Sequence, residues 1–196
     1  MQSIDEITNY LKANLSEKRF KHILGVAKTA RVLAEKWGAD SDKAFLAGLV
    51  HDCAKEIPLN EAVERLTKSG YSPDEIELRS PALLHAPLGA VVAREVFGIL
   101  DKDVLNSVTF HTTGRPEMSL LEKIIYVADF TEPGRIYPEA EEIRELSYID
   151  IDKAVLKETD MVIKFTVDRG RAIHPATVIT RNYYLKLINE ENKNES

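Results

Sequence analysis

The chain has 196 residues, 44% of them hydrophobic and 30% charged, a composition that excludes a disordered chain and suits one domain with its own core. Its 26 basic and 32 acidic residues leave a formal charge of −6. That field repels nucleic acid, and an anionic substrate would depend on local cations or metals to overcome it.

Almost every segment reads as helix. Ser3-x-x-Glu6 is a capping box opening a short helix with Ile4, Ile7 and Leu11 on one face. Ser16 caps a second helix carrying Phe20, Ile23, Ala27, Ala30 and Ala34, stopped by Gly38. A third, from about Ser41 to Asp52, turns Ala44, Ala47 and Val50 inward, and Asn60 to Ser69 forms a fourth. After Ser72-Pro73 a further turn or short helix precedes one that starts near Pro87 and ends near Phe97. Asp101 to His111 and Ser119 to Phe130 follow, the latter opened by the capping box Ser119-x-x-Glu122. Then come an acidic helix, Glu139 to Leu146, and a long one, Asp150 to Arg169, with Val155, Val162 and Phe165 inward. Pro175 opens the last helix, which carries Val178, Leu185 and Ile188, and the polar tail from about Asn189 is expected to fray.

No apolar/polar alternation persists and no hairpin turn occurs, so the fold class is all-α, a single-domain helical bundle of about ten helices. The lone cysteine, Cys53, excludes a disulfide framework and reads as a small buried residue. No apolar run approaches the ~18 residues that span a bilayer. The opening Met1-Gln2-Ser3-Ile4-Asp5-Glu6 lacks the basic and apolar regions of a signal peptide. A soluble, cytoplasmic protein with no membrane or nucleic-acid partner is the expectation, and a homodimer stands open beside a monomer.

The histidines carry the chemistry. His22, His51 and His111 fall on apolar faces of their helices, and His85 stands just ahead of the helix near Pro87. Asp129 follows Leu121 and Ile125 on an inward face, and Asp52 follows His51. Any one histidine alone reads as a core residue with its own hydrogen-bond partner. A carboxylate on an apolar face is harder to dismiss, since it is rarely buried unless paired or bound to metal. Chance alone supplies about 0.3 His-Asp pairs in such a chain, so His51-Asp52 is weak by itself. The ordered set His22, His51-Asp52, His85, His111, Asp129 is strong. Converging inward, these groups would desolvate one another, and a divalent cation resolves that.

That set resembles the HD-domain superfamily of metal-dependent phosphohydrolases. The surrounding phrases resemble, within it, the YqeK family of symmetrical bis(5'-nucleosyl)-tetraphosphatases. They are His51-Asp52-Cys53-Ala54-Lys55, Leu84-His85-Ala86-Pro87-Leu88-Gly89-Ala90, His111-Thr112-Thr113-Gly114-Arg115, Ala128-Asp129-Phe130-Thr131-Glu132-Pro133-Gly134-Arg135 and Asp168-Arg169-Gly170-Arg171-Ala172-Ile173-His174-Pro175.

The resemblance implies hydrolysis of diadenosine tetraphosphate to two ADP by a metal-bound hydroxide. It implies one domain over 1–196, with a core of about 16–135 and C-terminal helices of about 139–190 that complete a nucleotide pocket. His22, His51, Asp52 and Asp129 would hold one metal; His85 and His111 would hold a second, with Asp52 bridging. Iron is the implied metal, and imidazole and carboxylate ligands would also suit manganese or zinc. Asp52, Lys55 and Asp129 would act at the reacting phosphate. The nucleotide would meet Arg19, His22, Asp52, His85, His111, Arg115, Asp129 and Arg135. It would also meet Leu83, Leu84 and Ala86 at a helix start with free N–H groups, and the linker Gly170, Arg171, Ala172, Ile173, His174 and Pro175. Two alternatives are another HD activity, removal of phosphate from nucleoside monophosphates, and a non-catalytic nucleotide-sensing module.

Overall fold

The computed structural model describes residues 1–194. Among them lie eleven helices and no strand. They are α1 (Ile4–Asn14), α2 (Glu17–Trp37), α3 (Ser41–Val50), α4 (Leu59–Lys68), α5 (Glu75–Arg79), α6 (Pro81–Glu95), α7 (Lys102–Phe110), α8 (Leu120–Thr131), α9 (Pro138–Ser147), α10 (Ile151–Asp168) and α11 (Pro175–Asn194). No helix among the described residues is long and apolar enough to cross a membrane.

The starts follow the caps in the sequence. Ser3 and Ser119 form complete capping boxes with Glu6 and Glu122, and Ser16 accepts the Arg19 N–H. Gly38, at φ 72°, closes α2 in the left-handed conformation that other residues adopt at a cost.

Helices α2, α3, α7 and α8 pack on one another, with α6 against α7, and α10 lies on α8 with α11 beside it. Val26, Ala27 and Ala30 of α2, Ala47 and Val50 of α3, Val108 of α7 and Ile125 of α8 are sealed in the core. The α2–α3 crossing is close because of Gly48: a Cβ there would lie 2.8 Å from the Ala27 Cα.

Three expectations change. The helix assigned to Pro87 starts six residues earlier, at Pro81, and holds Pro87 inside it. Leu84 and Leu88, both 1% exposed, extend the apolar stripe upstream, and Pro81 suits a first helical position. Leu83, Leu84, His85 and Ala86 therefore lie within α6 and offer no free helix-start N–H groups; the Leu83 N–H already donates to the Ser80 carbonyl.

The face expected on α10 is buried at Val155, whereas Phe165 is 51% exposed. On α11, Tyr184 and Ile188 are buried and Val178 is exposed. There the periodicity outruns the core, and Phe165 packs instead under the Arg169 guanidinium, 4.0 Å from its ring centroid. The tail expected to fray is helical through Asn194, sustained by helix-favouring Lys and Glu side chains such as the Lys186–Glu190 pair; residues 195–196 lie outside the described residues.

Candidate metal centre

Five helices deliver six candidate ligands to one place. His22 lies in the first third of α2, and His51 and His111 are the C-cap residues of α3 and α7. The last carbonyls of a helix lack intrahelical partners. His51 Nδ1 donates to the Gly48 carbonyl at 2.7 Å, and His111 Nδ1 donates to the Val108 carbonyl at 2.7 Å. Each imidazole thus caps its own last turn. That bond fixes the proton on Nδ1 and leaves the Nε2 lone pair aimed at the neighbours.

Asp52, 1% exposed, sits between two sets of imidazoles. Its Oδ1 is 2.9 Å from His85 Nε2 and 3.5 Å from His111 Nε2. Its Oδ2 is 3.5 Å from His51 Nε2 and 3.8 Å from His22 Nε2. Asp129, partly exposed, places Oδ1 2.9 Å from His22 Nε2 and 3.8 Å from His51 Nε2.

Three cations join them. Arg19 Nη1 donates to Asp52 Oδ2 at 2.5 Å, Lys55 Nζ lies 3.6 Å from Asp52 Oδ1, and Arg135 Nη2 donates to Asp129 Oδ1 at 3.0 Å.

Burial opposes ionisation of Asp52, but His51, His111 and His85 outweigh it and hold the carboxyl well below the usual range. Asp129 shows the same balance: burial opposes ionisation, and His22 and His51 bring its carboxyl down. Burial lowers Lys55, partly countered by Asp52 and Asp129. Burial pushes His85 down to about 4 against the pull of Asp52. At neutral pH His85 is therefore uncharged, with a lone pair free for a cation.

Whether this set fits a cation is tested by its unsatisfied atoms. His22 Nε2, His51 Nε2 and Asp52 Oδ1 are buried without a well-formed hydrogen bond. Such atoms are costly in a protein interior unless an ion takes them up. Two ligand sets have donor atoms all within 4.8 Å of one another: His22, His51 and Asp129, and His51, Asp52 and His111. The donors fit a metal.

Other expected residues lie elsewhere. The Arg115 guanidinium is committed to Glu122, Nε to Oε1 at 3.0 Å and Nη2 to Oε2 at 2.8 Å. An anion would have to break that pair to use it. His174 donates through Nε2 to Asp74 Oδ2 at 3.1 Å and accepts the Ala176 N–H at Nδ1, tying the α10–α11 linker to the N-cap of α5. Arg171 and Ala172 of that linker face Ile76, Arg79 and Ser80 across a groove with about 910 Å³ of open space. Ala82 lines this groove and also a recess of about 430 Å³ that reaches Lys55 and His85.

Sequence reasoning passed over Glu132, whose Oε1 meets His22 Nδ1 at 3.1 Å, and Glu158, buried at 4% exposure on α10. An acid flanked at i±3 and i±4 by Ala154, Val155, Met161 and Val162 was the available signal for Glu158; Glu132 stood only inside the Ala128–Arg135 phrase.

Residues 19–134 match the family described as the HD domain. The chain is 43% identical to a protein of Halalkalibacterium halodurans named "Bis(5'-nucleosyl)-tetraphosphatase, symmetrical", covering 89% of this chain and 93% of that one. It is 37% identical to a protein of the same name from Bacillus subtilis, covering 91% and 96%. Among solved structures, a Clostridium acetobutylicum protein described as a "predicted HD superfamily hydrolase involved in NAD metabolism" superposes with a TM-score of 0.92. It is 49% identical and covers 95% of this chain and 98% of its own. With its histidines and aspartates gathered as above, the chain belongs to the HD-domain family, in the branch of these symmetrical bis(5'-nucleosyl)-tetraphosphatases.

Proposed function

We propose that this chain hydrolyses diadenosine tetraphosphate to two ADP at a two-metal centre. The observation that carries the reading is Asp52, whose two carboxylate oxygens face different imidazole sets. A carboxylate so placed could serve two metals at once. In this reading His22, His51, Asp52 and Asp129 hold one metal, and Asp52, His85 and His111 the other. No thiolate enters the set, which suits iron, manganese or zinc, and we take iron as the resident metal. Bound metals supply an activated water at neutral pH and stabilise charge on the phosphate oxygens.

The chain's own residues do the rest. Arg19, Lys55 and Arg135 surround the carboxylates and turn toward phosphate oxygens when substrate arrives, supplying the local attraction that a −6 chain lacks. Asp129, partly exposed, accepts a hydrogen bond from the attacking water and orients it. The departing ADP leaves on a phosphate oxygen and needs no proton.

The nucleotide lies in the groove between α5 and the 170–175 linker, where Arg79 and Arg171 face it and Ala82 leads to Lys55 and His85. In this arrangement α9–α11 complete a single domain whose catalytic part is the HD core.

The test is product analysis with iron-loaded protein kept anaerobic. ADP alone, carrying one oxygen from labelled solvent water on a β-phosphate, is the expected outcome. AMP in step with ATP would overturn the symmetrical cut.

A further inference from the structure

We propose that Glu132 is the positioning residue of the metal centre, holding His22 through Nδ1 so that Nε2 presents its lone pair to the metal. This rests on the two-metal reading above. Glu132 is 6% exposed, and its side chain meets His22 and the Gly134 N–H.

The chain is built to deliver it. Pro133 disfavours the helical conformation for the residue before it. Helix α8 therefore stops at Thr131, and Glu132 departs at φ −56°, ψ 152°, which folds its side chain back toward α2. Glu132 Oε1 lies 3.1 Å from His22 Nδ1, and Oε2 accepts the Gly134 N–H at 2.6 Å. An ionised carboxylate only accepts. The proton of His22 must then sit on Nδ1, which is the tautomer a ligating Nε2 needs.

Two glycines make room. A Cβ at Gly25, one turn beyond His22 on α2, would lie 2.5 Å from Glu132 Oε2. A Cβ at Gly134 would lie 2.7 Å from Glu132 Oε1. Arg144 of α9 braces the turn from outside, donating to the carbonyls of Thr131, Glu132 and Arg135. His22 has no backbone carbonyl to play the part that Gly48 and Val108 play for His51 and His111, and Glu132 fills it.

The experiment measures manganese affinity by equilibrium dialysis with elemental analysis for wild type, Glu132→Ala, Glu132→Gln and Gly25→Ala. Circular dichroism is recorded on each metal-free protein. Outer partners of metal-bound histidines are worth about 10–100-fold in metal affinity. Glu132→Ala should weaken the tighter site by that factor while its helicity stays at the wild-type level. Glu132→Gln keeps an acceptor oxygen for Nδ1–H and should recover part of the loss. Gly25→Ala should reproduce the Glu132→Ala defect by displacing an intact carboxylate.

Unchanged manganese affinity in Glu132→Ala and Gly25→Ala would overturn the proposal. So would a Glu132→Gln protein no better than Glu132→Ala. Weakened metal binding in a chain that never cleaves diadenosine tetraphosphate would uphold Glu132 and defeat the proposed activity, so the two failures are separable.

Discussion

Replacing Gly48 with alanine should loosen both the fold and the metal centre, because Gly48 lets α3 lie against the backbone of α2. The new Cβ would stand 2.8 Å from Ala27 Cα and 3.0 Å from Ala27 N. Carbon atoms rest at ≈ 3.5–4.0 Å, so the helices must part by roughly 0.8 Å, and no side-chain rotation relieves a clash with backbone. Overpacking of this kind costs about 1–3 kcal/mol, against which alanine's better helix propensity returns about 1 kcal/mol. A net loss of up to about 2 kcal/mol lowers the Tm of a chain this size by up to roughly 8 °C, readable by calorimetry. The same displacement separates His22 on α2 from His51 and Asp52 at the end of α3. Metal sites tolerate ligand shifts of only about 0.2 Å, so manganese affinity should fall about tenfold or more. Adding Ala27→Gly should not rescue, since the obstructing atoms are its Cα and N. A Gly48→Ala protein as stable as wild type with unaltered manganese affinity would refute the close-crossing argument.

Asp52→Ala should deplete both metals by elemental analysis, whereas His85→Ala with His111→Ala should leave one; loss of both in the double variant would break the proposed partition. Arg19→Ala should weaken ADP binding by about 1.5–3 kcal/mol in calorimetric titration with metal content unchanged. Parallel loss of metal would instead make Arg19 a support of the site. Glu158 is a buried acid whose carboxyl is pushed well above the usual range, first by burial and then by the charge of Asp129. Between its unfolded and folded pKa values the native state holds a proton that the unfolded chain releases, so stability falls as pH rises, by up to about 1.4 kcal/mol per pH unit. Glu158→Gln should therefore unfold at a higher temperature than wild type at pH 7, with a smaller difference at pH 5. A difference that shrinks toward high pH would refute the sign.

The sequence exposes those parts of the site that coincide with helical periodicity. His51 and His111 stand out because each continues an apolar stripe to a helix end, and Asp129 because a carboxylate interrupts one. What stayed hidden depends on partners far along the chain. Glu132 works through a histidine 110 residues away, and nothing local separates it from a solvated acid. Arg115 was expected to serve an anion because it follows His111, but the chain turns at Gly114 and returns Glu122 to it. Pro87 was misplaced because proline is normally a boundary. Here buried Leu84 and Leu88 carry the helix through it.

The wide sequence spacing of the ligands dictates an order of assembly. His22, His51, Asp52, His85, His111 and Asp129 belong to or adjoin α2, α3, α6, α7 and α8, and no two neighbouring helices alone supply a complete set. An ion cannot gather them early, as zinc gathers the ligands of a finger, because the loops to be closed are long and the donors meet only when the bundle has packed. On the proposed assignment, metal therefore enters a finished receptacle. Chelation should strip the protein without melting its helices, and one ion can be traded for another without unfolding. Which ion occupies the receptacle is then a matter of supply after synthesis.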